Sequence, residues 1–241
     1  MSCVSSNTCH LCCSDTSACD KCNIELAFLV DASTKSNANW QHVLNFVNSY
    51  AASFTINPTC VRVAVMRYAA SADVPITLIS HSSISSLQTH VSLLTVFNVA
   101  TSNLATALQV LQSQVFPTNV VRAGAKKVAV IIADELTCTA AITTEATSVR
   151  NSGVLIVGVG VTANVNTACL SQVAAPSNQY VQAANYDQLG SRLGDSVQQA
   201  CTTDAPDPGA SKYVVHEIYS KLNALNAFIN NRYVSCTSMT N

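Results

Sequence analysis

Carboxylates and hydroxyls stand where three apolar or helical patterns meet polar sequence. Ile24 to Val30 runs into Asp31-Ala32-Ser33-Thr34-Lys35-Ser36, Lys127 to Ala133 runs into Asp134-Glu135, and Thr101 opens Thr101-Ser102-Asn103-Leu104 ahead of a helical pattern. Carboxylate and hydroxyl oxygens converging on one point suit a hard divalent cation, chiefly Mg²⁺. Rival chemistries fare worse. Gly158-Val159-Gly160-Val161-Thr162-Ala163 satisfies the G-x-G-x-x-A pattern of dinucleotide folds. It follows the fifth strand-like run instead of the first, however, and glycines tolerating a crowded strand end account for it better. A nucleotide-binding enzyme would rest on that motif alone. No Gly-X-Ser-X-Gly elbow supplies an acyl-transfer nucleophile. His10, His42, His81, His90 and His216 show no metal-ligand spacing and read as ordinary surface or helix residues. Cys9-X-X-Cys12 and Cys19-X-X-Cys22 could make a four-thiolate zinc site, but the tight gap between the pairs and the further cysteines Cys3 and Cys13 favour disulfides.

The elements that must carry these oxygens can be read from periodicity. Strand-like apolar runs cover 24–30, 61–69, 74–79, 127–133, 154–161 and 180–182; helical spacing covers 40–54, 84–94, 104–116, 144–151 and 186–200. The runs 61–69 and 74–79 are separated by a short polar turn, as in a hairpin. Near-continuous apolar strands alternating with helices predict an α/β, doubly wound fold. The expected sheet has six strands, mainly parallel with one antiparallel edge strand, and helices on both faces. Ligands of such sheets gather at the carboxyl ends of the strands, which is where Asp31, Thr101 and Asp134 fall. Four regions follow: a cysteine-rich segment at 1–22 with almost nothing to bury, the α/β domain at 23–201, a Pro/Asp/Gly linker at 202–211, and an amphipathic helix and tail at 212–241.

The runs Cys22 to Ser33 with Trp40 following, Val61 to Ala69, Thr101 to Leu108, Lys126 to Asp134 and Ser152 to Gly160 occur in one order and spacing. In this they resemble the von Willebrand factor type A domain family over nearly all of 23–201. The resemblance implies a metal-ion-dependent adhesion site of the pattern Asp-X-Ser-X-Ser, Thr, Asp, whose cation completes its shell with an acidic residue of a protein partner. Position by position, Asp31, Ser33, Thr101 and Asp134 match. Lys35 stands where the second serine is expected, and Glu135 stands where a glycine usually follows the last aspartate. A fixed ammonium about 4 Å from a divalent ion would cost roughly 8 kcal/mol at an effective dielectric of 20. One expectation is therefore that Lys35 pairs with Asp31 and Asp134 and replaces the cation, making recognition metal-independent. Ser36 substitutes as a ligand only if the loop shifts by one residue. The blandest reading is that Asp31 and Asp134 only cap loops and helices. Relatives also bridge the ends of this domain, which implies a Cys22–Cys201 disulfide.

Composition sets the compartment and excludes some partners. Of 241 residues 49% are apolar and only 10% charged, with a net charge of -1. No basic stripe offers a footprint for nucleic acid, and no apolar stretch approaches the ~20 residues that span a bilayer. Eleven cysteines favour an oxidising, extracellular setting. Met1-Ser2-Cys3 leads into cysteine-rich sequence without a signal-peptide pattern, so a secreted chain is expected to be the mature form. Cys138 and Cys169 both follow strands at the carboxyl end of the sheet and make a second candidate bridge; Cys60 has no obvious mate within the domain. An odd cysteine total leaves at least one thiol free or paired with another chain. Val215, Ile218, Leu222, Leu225 and Ile229 form a heptad seam of little over two heptads. It either docks in cis or forms a homo-oligomer, and matrilins are similar in joining such domains to a coiled coil with nearby cysteines. The expected function is extracellular adhesion: binding of a protein ligand through the carboxyl-end loops, without catalysis. The alternative is a self-assembling structural matrix protein built through the tail and cysteines.

Overall fold

Burial dictates the strands. Every residue of Ile24–Asp31 (β1) is buried, as is nearly all of Val61–Tyr68 (β2), Lys126–Ala133 (β4) and Val154–Val161 (β5). β-branched and apolar side chains on both sides of a strand require cover on both faces. The computed structural model describes residues 23–133, 136–161 and 165–174, together with the backbone of 180–183. The chain divides after Cys201 into two units, and all described residues lie in the first. Its sheet has six strands in the order β3-β2-β1-β4-β5-β6, with β3 at Ala72–Ile76 and β6 at Tyr180–Ala183. All neighbours are parallel except the edge pair β2–β3. Pro75 lies in that edge strand, where a missing donor costs least.

The helices are Trp40–Ala51 (α1), Ile84–Val91 (α2), Leu104–Val110 (α3, continued by a wider turn over Leu111–Val115), Ala140–Asn151 (α4) and Thr167–Ala174 (α5). Alternation along β1 sorts them. Leu26, Phe28 and Val30 face Val43, Leu44, Phe46, Val47 and Tyr50 of α1 and Leu87 and Val91 of α2. Ala27 and Leu29 face the opposite layer, where Leu104 and Leu108 of α3, Ala146 and Val149 of α4 and Leu170 and Val173 of α5 pack. Phe28 meets Phe46 and Tyr50 edge-on at 6.5 and 6.1 Å, a favoured aromatic geometry.

Four helices differ from the sequence expectation. The helix expected over 40–54 stops at Ala51, and the one expected over 84–94 stops at Val91. The one expected over 144–151 begins at Ala140, because the Thr139 hydroxyl accepts from the Ile142 amide and caps the helix a turn earlier. Helix α5 has no counterpart among the expected elements. Gly153 ends the turn into β5 at φ 79°, a conformation that favours glycine. The cysteine-rich segment 1–22, the helix at 186–200, the linker at 202–211 and the tail at 212–241 lie outside the described residues.

The glycines of the G-x-G-x-x-A motif sit inside β5, not in a loop that opens a helix. A Cβ on Gly158 would lie 2.7 Å from Leu170 Cγ, and one on Gly160 would lie 2.6 Å from Val165 Cγ1. Close approach of α5 and the turn before it to the strand is what these positions require.

At the amino end of the sheet, Glu25 is fully buried between two arginines. Arg62 donates to it through Nε at 2.8 Å and Nη2 at 2.5 Å; Arg122 donates through Nε at 2.8 Å and its amide at 3.1 Å. Arg122 also donates to the Ile24, Cys60 and Pro58 carbonyls, and Arg62 to that of Val120. Burial pushes the Glu25 carboxyl up, but the bonds from Arg62 and then Arg122 outweigh it and hold the group below the ordinary carboxylate range. This network ties β1, β2 and the 120–122 loop together. Beside it, Cys60 is disulfide-bonded.

Candidate metal centre

Strand order reverses between β1 and β4: the chain steps from β1 outward to β2 and β3, and from β4 the other way to β5 and β6. The crevice at such a switch point is where doubly wound sheets bind ligands. Asp31, the last residue of β1, stands at its rim and is buried to 6% exposure. Its Oδ1 accepts from the Ser33 amide at 2.9 Å, closing a tight turn. Thr34 to Asn39 then form a short 3₁₀ helix, with the Ser36 amide donating to the Ser33 carbonyl at 3.1 Å.

That turn decides which side chains point inward. Ser33 is 0% exposed and Ser36 2% exposed, whereas Thr34 and Lys35 are exposed. This burial pattern is what a one-residue shift of the loop would produce. The loop turns Ser36 inward and Lys35 to the surface. Neither the Ser33 nor the Ser36 hydroxyl has a hydrogen-bond partner among the described residues. A buried unsatisfied hydroxyl costs about 1–3 kcal/mol, so two of them within one turn of a buried carboxylate demand a reason.

Thr101 reaches the same rim by a separate route. The 95–103 segment crosses the carboxyl ends of β1 and β2: the Phe97 amide donates to Ala32 O at 2.7 Å, Thr34 to Val99 O at 2.9 Å, and Asn103 to Ala69 O at 2.8 Å. Thr101 lies exposed between the last two anchors. Arg67 braces this segment. Its Nε and Nη2 donate to the Asp73 carboxylate at 3.1 and 2.5 Å, its Nη1 to Thr95 O at 2.5 Å, and its guanidinium lies 4.7 Å from the Phe97 ring centroid. Trp40 Nε1 donates to Leu94 O at 2.8 Å and fixes the segment's start to α1.

A hard divalent cation fits what is present. Carboxylate and hydroxyl oxygens are its preferred donors, and the two hydroxyls without partners among the described residues are ones it would satisfy. Asp31, Ser33, Ser36 and Thr101 are the residues that would hold it. Asp134, the remaining expected ligand, and Glu135 lie outside the described residues, as do Cys22 and Cys201. Among the described residues no group of three or more His, Cys, Asp or Glu side chains gathers.

Cys138 and Cys169 are joined in a disulfide that links the loop after β4 to α5. Arg150 extends the tie, donating to the Gln172 and Val173 carbonyls at the end of α5. His90 is a helix residue and His81 lies in the loop before that helix, but the two meet: His81 Nε2 lies 3.0 Å from His90 Nδ1. Their separation of nine residues, with helix α2 starting between them, is no recognised ligand spacing, so periodicity could not reveal the pair.

Comparison with known proteins agrees with this geometry. The model of the von Willebrand factor type A domain matches residues 25–195. Von Willebrand factor A domain-containing protein 2 of Xenopus laevis is 25% identical over 200 residues, which are 83% of this chain and 25% of that protein. Proximal thread matrix protein 1 from the mussel byssus superposes with a TM-score of 0.68 at 24% identity, over 75% of this chain and 46% of that one. A second structure of it has a zinc-occupied adhesion-site motif. The manganese-loaded TRAP protein of Plasmodium vivax superposes with a TM-score of 0.60 at 19% identity, over 72% of each chain. This chain therefore spans a quarter of the frog relative and under half of the byssus protein.

Proposed function

The chain belongs to the von Willebrand factor type A domain family, and from that premise we propose that it is an extracellular adhesion module. It binds a protein partner at the carboxyl end of its sheet, through a divalent cation held by Asp31, Ser33, Ser36 and Thr101. The observation that carries this reading is the pair of buried hydroxyls, Ser33 and Ser36, without a hydrogen-bond partner among the described residues in the turn that follows Asp31. Asp31, Ser33, Ser36 and Thr101 would hold the cation, which would supply positive charge for an acidic side chain of the partner. Manganese and zinc in the neighbouring structures support the same chemistry.

This reading is one of binding without catalysis, since carboxylate and hydroxyl oxygens are the ligands a hard cation takes. The Cys138–Cys169 bridge supports an oxidising, extracellular location. The byssus neighbour is a matrix protein, which is compatible with a matrix setting for this chain.

The test is retention of the purified chain on an array of aspartate- and glutamate-containing peptides, with Mg²⁺ and with EDTA. Mg²⁺-dependent retention that Ser33→Ala abolishes is the expected result. Retention that survives EDTA unchanged would mean that recognition runs without a cation, as the charge of Lys35 suggests when the sequence is read by spacing.

A further inference from the structure

The Ser86 hydroxyl lies 3.0 Å from the Ser83 carbonyl and 3.2 Å from His81 Nδ1, so its one proton serves one of the two. His81 Nε2 and His90 Nδ1 face each other across 3.0 Å, one as donor and the other as acceptor. A turn aims the first ring: the Thr77 amide donates to Ser80 Oγ at 3.0 Å and the Ser80 amide to Thr77 O at 3.1 Å, immediately before His81. The second ring stands on the last turn of α2. Both rings are only half-buried, and they meet edge to face with centroids 5.2 Å apart.

We propose that His81 Nε2 and His90 Nδ1 form a second cation site, selective for a borderline divalent transition metal such as Zn²⁺. Zinc–nitrogen bonds of 2.0–2.1 Å at a tetrahedral angle place two ligand nitrogens ~3.3 Å apart. The rings need part by only a few tenths of an ångström from their present 3.0 Å. No proton need leave the protein: the ring that donates across the pair shifts that proton to its other nitrogen, so that both facing lone pairs reach the metal. Ser86 Oγ then accepts from His81 Nδ1–H and acts as a positioning residue, the outer partner that metal-bound histidines commonly have. Two protein ligands leave two positions open, for water or for donors from another molecule. Imidazole prefers Zn²⁺ and Cu²⁺ over Mg²⁺, so this site and the Asp31 cluster sort different ions. It shares no residue with that cluster and stands whether or not the cluster holds metal.

Isothermal titration of the full chain with Zn²⁺, in saturating Mg²⁺, tests the proposal on wild type, His81→Gln, His90→Gln, Ser86→Ala and a Ser33→Ala/Ser36→Ala double variant. One zinc equivalent should be lost in each histidine variant and kept in the double variant. Ser86→Ala should weaken that equivalent ~tenfold. In wild type, ¹⁵N resonances of His81 Nε2 and His90 Nδ1 should shift together on adding Zn²⁺, a readout that no variant's folding affects. Unchanged zinc stoichiometry in either histidine variant, loss of the equivalent in the double variant, or ¹⁵N shifts at neither ring would overturn it.

Discussion

Ser36 is the residue on which the metal reading turns. A sequence alignment by spacing puts Lys35 at the second serine's place, and charge repulsion then argues against a cation. The 3₁₀ turn over Thr34–Asn39 buries Ser36 and exposes Lys35, which favours Ser36 as the ligand. Spacing alone could not show this, because a one-residue change of register in a loop leaves no periodic trace. Asp31, Ser33 and Thr101 were legible because each follows or precedes a recognisable element. Removing one oxygen ligand from a cation should cost about as much as a hydrogen bond to a charged group, roughly 1.5–3 kcal/mol. Ser36→Ala should thus weaken Mg²⁺ binding at least ~tenfold, whereas Lys35→Ser should change it far less; titration calorimetry compares them. A larger loss from Lys35→Ser would place the lysine, not the serine, in the site. Glu25 offers a second residue-scale test. Its carboxyl is held below its unfolded value by Arg62 and Arg122. Its contribution is therefore complete above the ordinary carboxylate range near pH ~4.3 and is lost as pH falls through the lowered folded value. Glu25→Gln should cost about 3 kcal/mol at pH 7, since it leaves two arginines without their charge partner. The gap from wild type should narrow at pH 3, as read by urea unfolding at both values.

Among the elements, the five long or hairpin strands were legible because continuous apolar runs bounded by polar turns seldom arise except in strands covered on both faces, and β6 was readable from Tyr180-Val181-Gln182. Helix ends were less so. The Ala140–Thr143 stretch lacks a clear apolar stripe, and only the Thr139 cap reveals that the helix starts there. Helix α5 is eight residues long, yet its buried Cys169, Leu170, Val173 and Ala174 recur at helical spacing and could have betrayed it. Its packing accounts for Gly158 and Gly160. Adding a methyl group at either meets Leu170 or Val165 at under 3 Å, so Gly160→Ala should destabilise the fold by about 1–3 kcal/mol through overpacking, measurable by thermal unfolding. The bridge between Cys138 and Cys169 closes a segment with a sequence separation of 31. In the chain-entropy model that is worth roughly 3–4 kcal/mol. The Cys138→Ser/Cys169→Ser double variant should lose about that much, seen as a lower urea midpoint than wild type under non-reducing conditions.

The whole molecule owes its site to topology. A sheet wound outward in both directions from β1 and β4 leaves a crevice at their carboxyl ends, and the loops that fill it are the ones that carry Asp31, Ser33, Ser36 and Thr101. The Arg67 brace and the Trp40–Leu94 bond hold the crossing segment, while the Glu25 network locks the opposite end. The fold class was readable from the alternation of strands and helices; the inward turn of Ser36 and the meeting of His81 with His90 required three dimensions. Whether the Asp31 cluster holds a cation is decided most directly by thermal unfolding of the full chain in EDTA and in Mg²⁺ or Mn²⁺. A cation at 100 times its dissociation constant stabilises the folded state by ~2.7 kcal/mol, which for a domain of this size raises Tm by about 5–10 °C. That rise is predicted for wild type, and its absence for Ser33→Ala/Ser36→Ala. Identical wild-type Tm values in EDTA and in saturating Mg²⁺ and Mn²⁺ would contradict the cation site.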